Sequence, residues 1–138
     1  MIKIAKHVVS KNSKTLIIAE VGQSHLGSIK KAESIIKKIS KTGVEFIKFQ
    51  THIASEESSF DDQFRINFSY EDDSRYEYWK RMEFSLEQWK DLKKHCDDKS
   101  LDFISSPFSL EAVELLDKIG IETFIFVFLK KFPNDPNA

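Results

Sequence analysis

Residues 16–22 read Leu-Ile-Ile-Ala-Glu-Val-Gly, and residues 46–51 read Phe-Ile-Lys-Phe-Gln-Thr. Each is a short apolar run of the kind that forms a parallel strand buried on both faces, and each carries polar or charged residues toward its end. A charged side chain is costly to bury without a partner, so Glu20 and Lys48 need a reason to be there. In parallel sheets and barrels, ligands bind at the carboxyl ends of the strands. The two runs therefore predict the rim of an active site.

Helices are predicted between these strands and after them. Serine hydroxyls suited to capping a helix start stand at Ser28, Ser85 and Ser109, and Ser85 has the glutamine three residues later that completes a capping box. Glycines suited to ending a helix stand at Gly43 and Gly120. The alternation of strand and helix predicts an α/β fold with a parallel sheet.

The predicted strands lie near residues 16–21, 46–51, 102–105 and 122–128, and we expect them to be adjacent in that order. Pro107 is predicted to stop the third strand because proline cannot donate to a ladder. Residues 1–9 are compatible with one further short strand. The stretch from His52 to Phe84 is far longer than a usual connection of about 2–6 residues. Its aromatic residues favour either a folded excursion that covers a strand end or a lid over a ligand, and both interpretations stay open.

Lys48 and Gln50 have the same parity on their strand, so their side chains face the same side of the sheet. A lysine there suits an anion, and a glutamine amide can orient a hydroxyl or a carboxylate. A buried ion pair between Lys48 and Glu20, with no ligand, explains the same residues equally well. From the residues alone, these two interpretations remain open.

Other polar residues give weaker signals. Ser105 and Ser106, followed by Pro107 and Phe108, offer hydroxyls that suit phosphate. His25 could be a ligand, although a lone histidine in a loop is usually structural or solvated. No two histidines have the spacing of a metal-binding pair, and no glycine-rich nucleotide motif is present. Cys96 is predicted to be a small core residue on an amphipathic helix.

Composition narrows the class of protein. The chain has 138 residues, a formal net charge of −1 and a single cysteine. The balanced charge gives no argument for binding nucleic acid or a membrane surface. No apolar run approaches the roughly 20 residues of a membrane span, and the first residues lack the apolar core of a signal peptide. We therefore expect a cytoplasmic globular unit without a nucleic acid or membrane partner.

Three segments in register resemble the N-acetylneuraminate synthase (sialic acid synthase) family. They are residues 17–27, Ile-Ile-Ala-Glu-Val-Gly-Gln-Ser-His-Leu-Gly; residues 47–52, Ile-Lys-Phe-Gln-Thr-His; and residues 103–109, Phe-Ile-Ser-Ser-Pro-Phe-Ser. The resemblance covers roughly residues 15–124 and corresponds to the N-terminal part of the catalytic barrel. It implies a partial (β/α)8 TIM-type barrel with about four βα units and parallel strands.

The resemblance also implies an activity. Members of the family condense phosphoenolpyruvate with an N-acetylated amino sugar of the N-acetylmannosamine type, giving a sialic-acid-like nonulosonate and phosphate. By position, Glu20 and Lys48 would be catalytic, and Lys48, Gln50, Ser106 and Phe108 would bind substrate. A divalent metal, Mn or Mg, would hold the aldehyde. Full-length members would be homodimeric.

The chain departs from the family near its end. Ile125 stands where the family has a lysine, no Ser-Gly-Glu motif follows, and the metal-binding histidines of later strands are absent. A full barrel takes about 250 residues. We therefore expect a truncated or frameshifted synthase, with residues 1–124 as the first half of a barrel, residues 125–138 as a non-family tail and no activity alone. The alternatives are one half of a split synthase, or a non-enzymatic module that binds a phosphate ligand or a partner.

Overall fold

Three parallel strands form the centre of the fold in a computed structural model that describes residues 1–64, 66 and 68–125. The elements in chain order are β1 (Ile2–Ile4), β2 (His7–Val9), β3 (Ile18–Gly22), α1 (Ile29–Ile39), β4 (Phe46–Thr51), α2 (Ala54–Glu57), α3 (Arg75–Met82), α4 (Leu86–Asp97), β5 (Asp102–Pro107) and α5 (Leu110–Lys118). Strands β3, β4 and β5 are neighbours in that order and run parallel. This confirms the predicted α/β fold and the predicted adjacency of the first three strands.

The register of the sheet places the polar residues side by side. Glu20 lies opposite Lys48, and Gln50 lies opposite Ser106. The pairing of β3 with β4 shifts between Glu20 and Gly22, so β3 is irregular where it reaches the site. The carboxyl ends of all three strands therefore meet at one edge of the sheet.

Strand β5 is longer than predicted. It runs to Pro107, which lies beside Thr51, so the expectation that this proline stops the strand before it was wrong. A proline can occupy the last position because the ladder continues through the next amide, and the N–H of Phe108 donates to the carbonyl of Thr51 at 3.2 Å. The additional length carries Ser106 onto the sheet.

The predicted fourth strand is described only in part. Phe124 forms a single parallel bridge with Ser105, and the N–H of Ile125 donates to the carbonyl of Ser105 at 3.1 Å. This places the chain on the free side of β5, where the strand was expected. The remainder of that strand and almost all of the predicted tail lie outside the described residues.

The N-terminal residues form a hairpin where one short strand was considered. Strands β1 and β2 pair antiparallel. His7 Nε2 lies 2.6 Å from a carboxylate oxygen of Asp102, and the Lys6 ammonium lies 3.1 Å from the other oxygen. These contacts anchor the hairpin at the start of β5, at the end of the sheet opposite the candidate site.

The helix starts follow the predicted capping chemistry. The hydroxyl of Ser28 accepts the N–H of Lys31, and the hydroxyl of Ser109 accepts the N–H of Ala112. Ser85 and Gln88 form the complete capping box at the start of α4. In the described part of the chain, no helix is long and apolar enough to cross a membrane.

The core lies between the sheet and the helices on one of its faces. Its buried members are Val21, Ala32, Ile36, Ile47, Phe49, Phe84, Trp89, Leu92, Cys96, Leu101, Phe103, Leu116, Ile119 and Ile121. In α5, Ala112 and Leu116 are fully buried and Val113 is half-buried. Burial raises the pKa of the Cys96 thiol to about 12, as suits the predicted core residue rather than a reactive thiolate.

The opposite face of the sheet carries the polar residues and an apolar cavity of about 680 Å³. Phe46 and Ile104 line this cavity together with Ile4 and Val9 of the hairpin and Phe124. Lys48 and Gln50 alternate with Ile47 and Phe49, so they project on this face and away from the helices. The cavity occupies the part of the face nearest the hairpin and does not include the polar residues.

We expect Gly27→Ala to destabilise the protein by about 2–4 kcal/mol, from strain and overpacking together. Gly27 has φ +74°, and a Cβ there would lie 2.1 Å from the carbonyl oxygen of Arg81, at the end of α3. Gly43→Ala is the matched control, since Gly43 has φ +78° with nothing within 4 Å of its Cβ position. Its expected cost is backbone strain alone, about 1 kcal/mol. Urea unfolding measures both, and equal losses would show that the contact with α3 is loose.

Candidate active site at the strand ends

Lys48 is a nearly buried cation on the polar face of the sheet. Its side chain is 10% exposed, and its ammonium lies 2.5 Å from Oε2 of Glu20. The Glu20 side chain is 48% exposed, and its other oxygen, Oε1, accepts the N–H of Gly22 at 3.0 Å. The Lys48 side chain is therefore held by its burial in the sheet, while the Glu20 carboxylate that pairs with it is half exposed to solvent. An anionic ligand could reach this pair and replace or join the carboxylate.

The amide of Gln50 converges on the same point. A Cβ built on Gly22 would lie 3.6 Å from Oε1 of Glu20 and 3.8 Å from Nε2 of Gln50, so the carboxylate and the amide both border this glycine. Gln23 donates from Nε2 to Oε1 of Gln50 at 3.4 Å. The structure thus brings Glu20, Lys48 and Gln50 together, as the strand-end argument predicts.

Two buried polar atoms near this point have no hydrogen-bond partner among the described residues. They are the hydroxyl oxygen of Ser106 and Oε1 of Gln23. Ser106 is fully buried and pairs in register with Gln50. Buried polar atoms are nearly always hydrogen-bonded, so a hydroxyl that no described residue engages, next to Gln50, suits a polar ligand at this edge of the sheet. Ser105, by contrast, bonds to Thr51 at 2.8 Å on the helix side and does not face the site.

Phe108 lies at the edge of this constellation in a stack of three rings. Its ring stacks on the ring of His52, with the two centroids 4.1 Å apart. The ring of His52 also stacks on the ring of Trp79, with centroids 3.9 Å apart. Phe108 itself is 41% exposed. The stack holds an aromatic surface beside the strand ends, where it could contact a sugar ring.

The long segment from His52 to Phe84 is folded against the strand ends. It contains α2 and α3, and Trp79 of α3 makes the stack with His52. The backbone N–H of Ala54 donates to the Glu83 carboxylate, which ties the two ends of the segment together. These contacts support the folded excursion. Movement of this segment as a lid stays a prediction.

His25 is fully buried and structural rather than solvated. Its Nδ1 accepts the N–H of Gly27 at 3.1 Å, and its ring packs on Phe84 with centroids 4.6 Å apart. Burial, with smaller contributions from His52 and Lys31, lowers the pKa of His25 from 6.5 to about 4. Its neutral form is therefore the one that belongs to the folded protein.

This histidine should make stability depend on pH. The pKa of His25 is lower in the folded protein than in the unfolded chain, so the unfolded chain binds more protons between pH 6.5 and pH 4. The stabilisation is present above pH 6.5 and is lost as the pH falls toward 4, by about 3 kcal/mol in total. His25→Asn keeps an acceptor for Gly27 but cannot titrate. In urea unfolding at several pH values, this variant should lose that part of the acid dependence; an unchanged dependence would contradict the assignment.

The described residues do not offer a metal centre. Among them, no group of three or more His, Cys, Asp or Glu side chains is placed to hold a metal ion. Glu20 is engaged by Lys48 and by the N–H of Gly22, and Glu57 is engaged by His52 and by the N–H of Ile53. The side chains of the described residues at this site therefore do not fit a divalent metal.

Sequence reasoning missed the groups that support the site. His52 directly follows β4, but its stacking partners lie 27 and 56 positions further along the chain, where no local pattern indicates them. Glu57, bonded to His52 at 2.8 Å, was not singled out. Gln23, whose amide donates to Gln50, lies within a segment that resembles the family but carries no sequence signal of its own. A signal was available for Glu57, since an acid at the end of a four-residue helix can reach back to the preceding loop, but it is weak.

Comparisons with known proteins give one matching family model and several similar proteins that are named as synthases of sugar acids. The NeuB family model matches residues 35–125. The N,N'-diacetyllegionaminic acid synthase of Campylobacter jejuni is 32% identical over 114 residues, which are 80% of this chain and 34% of that protein. The N-acetylneuraminate-9-phosphate synthase of Drosophila melanogaster is 28% identical over 108 residues, 76% of this chain and 29% of that protein.

A solved structure shares the fold. The N-acetylneuraminic acid (sialic acid) synthetase of Leptospira borgpetersenii, crystallised with citrate, superposes with a TM-score of 0.72 at 24% identity, covering 89% of this chain and 39% of that chain. The present chain spans about a third of the length of the curated relatives it matches.

Proposed function

Because the chain belongs to the NeuB family, we propose that it forms the first part of a synthase barrel that condenses phosphoenolpyruvate with an N-acetylated amino sugar. The product would be a nonulosonate of the sialic acid type, with phosphate released. The observation that carries this proposal is the strand-end constellation, in which Lys48, Glu20 and Gln50 converge near the hydroxyl of Ser106, which has no partner within residues 1–64, 66 and 68–125. The relatives are named as synthases of such acids.

The proposed reaction forms one carbon–carbon bond and loses one phosphate. The methylene carbon of phosphoenolpyruvate bonds to the aldehyde carbon of the sugar, and water replaces the phosphate, which leaves. Lys48 suits the phosphate because it is a buried cation on the polar face of the sheet. Burial strengthens the interaction of its ammonium with the charge that develops on the leaving phosphate. The hydroxyl of Ser106 can donate a second hydrogen bond to the same ligand.

The remaining residues suit the sugar. Glu20 can accept a hydrogen bond from a sugar hydroxyl while Gly22 holds its other oxygen. Gln50 offers both a donor and an acceptor beside it, and Phe108 offers an exposed aromatic face. We propose that the metal, Mn or Mg, binds to parts of the complete enzyme outside residues 1–125. A second lysine for phosphoenolpyruvate would also lie there. Homodimerisation of the complete enzyme is likewise a proposal.

A chimera tests the proposal. Residues 1–124 would be joined to the corresponding remainder of the Campylobacter jejuni N,N'-diacetyllegionaminic acid synthase, and phosphate release would be followed with phosphoenolpyruvate and a set of N-acetylated amino sugars. We expect release that requires both substrates and a product whose mass equals both substrates plus water minus phosphoric acid. A folded chimera without release in the presence of manganese or magnesium would contradict the proposed function.

A binding module is the second candidate. Lys48 and the unpaired hydroxyl of Ser106 could hold a phosphate-bearing ligand without turning it over. A split synthase, completed by a separate chain, is the third. Phosphate release by the chimera, together with none by a mixture of the two unlinked halves, would favour one continuous barrel over two chains.

A further inference from the structure

Glu57 and His52 form a buried pair beneath the candidate site. The side chains of His52 and Glu57 are 4% and 10% exposed, and Nδ1 of His52 lies 2.8 Å from Oε2 of Glu57. The other carboxylate oxygen accepts the N–H of Ile53 at 2.9 Å. Both oxygens of Glu57 are therefore engaged, and its position is set by the backbone at the start of α2.

The ring of His52 reaches two of the proposed substrate-binding residues. Its Nε2 lies 3.4 Å from Oε1 of Gln50, and one of its faces stacks on Phe108. Trp79 stacks on the ring as well, at 3.9 Å, so the plane of the imidazole is fixed by packing. One side chain thus touches both the amide and the aromatic group proposed to face the sugar.

From these contacts, and resting on the proposed function, we propose that Glu57 acts through His52 as a positioning residue for Gln50 and Phe108. An ionised carboxylate can only accept hydrogen bonds, so Glu57 fixes a proton on Nδ1 and the ring orientation with it. With Nδ1 held by Glu57, the ring keeps Nε2 within 3.4 Å of Oε1 of Gln50. An unprotonated Nε2 and an amide oxygen both only accept, so a hydrogen bond here takes either a second proton on the ring or the NH₂ of Gln50 turned toward Nε2. The amide in turn presents a defined donor and acceptor to the sugar, and Phe108 keeps its exposed face beside it.

The first experiment is nitrogen NMR on the full chain with labelled histidine. Wild type should show a protonated Nδ1 on His52. Glu57→Gln should move this signal toward that of an unprotonated nitrogen, because a glutamine can turn its NH₂ toward the ring, and it should broaden the side-chain NH₂ signals of Gln50. Glu56→Gln, an exposed neighbour in the same helix, is the matched control and should change neither. An Nδ1 signal unchanged by Glu57→Gln would overturn the proposal.

The second experiment separates positioning from general stability in the chimera. Glu57→Gln should raise the KM for the amino sugar by about tenfold, with the KM for phosphoenolpyruvate changed less than twofold, and Glu56→Gln should match the parent. Equal changes in both constants, or no change, would overturn the positioning role. A parent chimera that releases no phosphate would count against the proposed function instead, and the NMR result would still decide whether Glu57 controls His52.

Discussion

Lys48→Ala in the chimera is expected to lower phosphate release by about 10²–10³-fold or more, the usual scale for removing one electrostatic group from an active site. Lys48 is the cation nearest the proposed phosphate position, and nothing else in the described part of β4 can replace its charge. The loss should appear mainly in kcat/KM for phosphoenolpyruvate. Continuous measurement of phosphate at several concentrations of each substrate gives this constant.

Two further variants make that result interpretable. Lys90→Ala removes a lysine from the exposed side of α4 and should leave turnover within about twofold of the parent, since exposed charges contribute little. Lys48→Met keeps most of the aliphatic stem and should be as inactive as Lys48→Ala, although better packed. Turnover by Lys48→Met close to that of the parent would show that Lys48 has only a structural role.

The 138-residue polypeptide by itself is expected to release no phosphate from phosphoenolpyruvate and N-acetylmannosamine, with or without manganese. Several groups would be missing together: a lysine at position 125, the histidines expected on later strands, and the strands that close a barrel and exclude water. Groups that act as a unit do not leave proportional residual activity when several are removed. The rate should equal that of a Lys48→Ala version of the same polypeptide. A rate clearly above this control would show that three strand ends suffice for the chemistry.

Sequence patterns predicted the elements near the site with good accuracy. The apolar run at residues 46–51 became β4 with the same bounds, and Ser85 with Gln88 became the complete capping box of α4. These features are local, because strand burial and helix capping depend on neighbouring residues. The convergence of Glu20 and Lys48 at one end of the sheet was also predicted, since parallel strands bring their carboxyl ends to one edge, whereas their direct opposition in register comes from the structure.

The supporting contacts were out of reach for a physical reason. The stack of Trp79, His52 and Phe108 joins three separate segments, and no period in the sequence reports which rings will meet. The end of β5 was misjudged because the rule on proline concerns the interior of a strand, whereas Pro107 occupies its last position. The lack of a partner for the Ser106 hydroxyl within the described part of the chain likewise depends on its surroundings, which a sequence pattern does not report.

Two interpretations of Lys48 remained open from the residues alone: a ligand site, or an internal ion pair with Glu20. The structure shows the pair at 2.5 Å and also shows why it need not be the final arrangement, since the carboxylate is half exposed. A buried lysine whose partner can be displaced or joined is suited to a dianionic ligand. The position of the Lys48 ammonium in the presence of phosphoenolpyruvate therefore decides between the two interpretations.

A crystal structure of the chimera soaked with phosphoenolpyruvate measures this directly. The account predicts phosphate oxygens within hydrogen-bond distance of the Lys48 ammonium and of the Ser106 hydroxyl, with Glu20 remaining on the Gly22 amide. Phosphoenolpyruvate bound elsewhere, with Lys48 still paired to Glu20 alone and the Ser106 hydroxyl still unpaired, would contradict it.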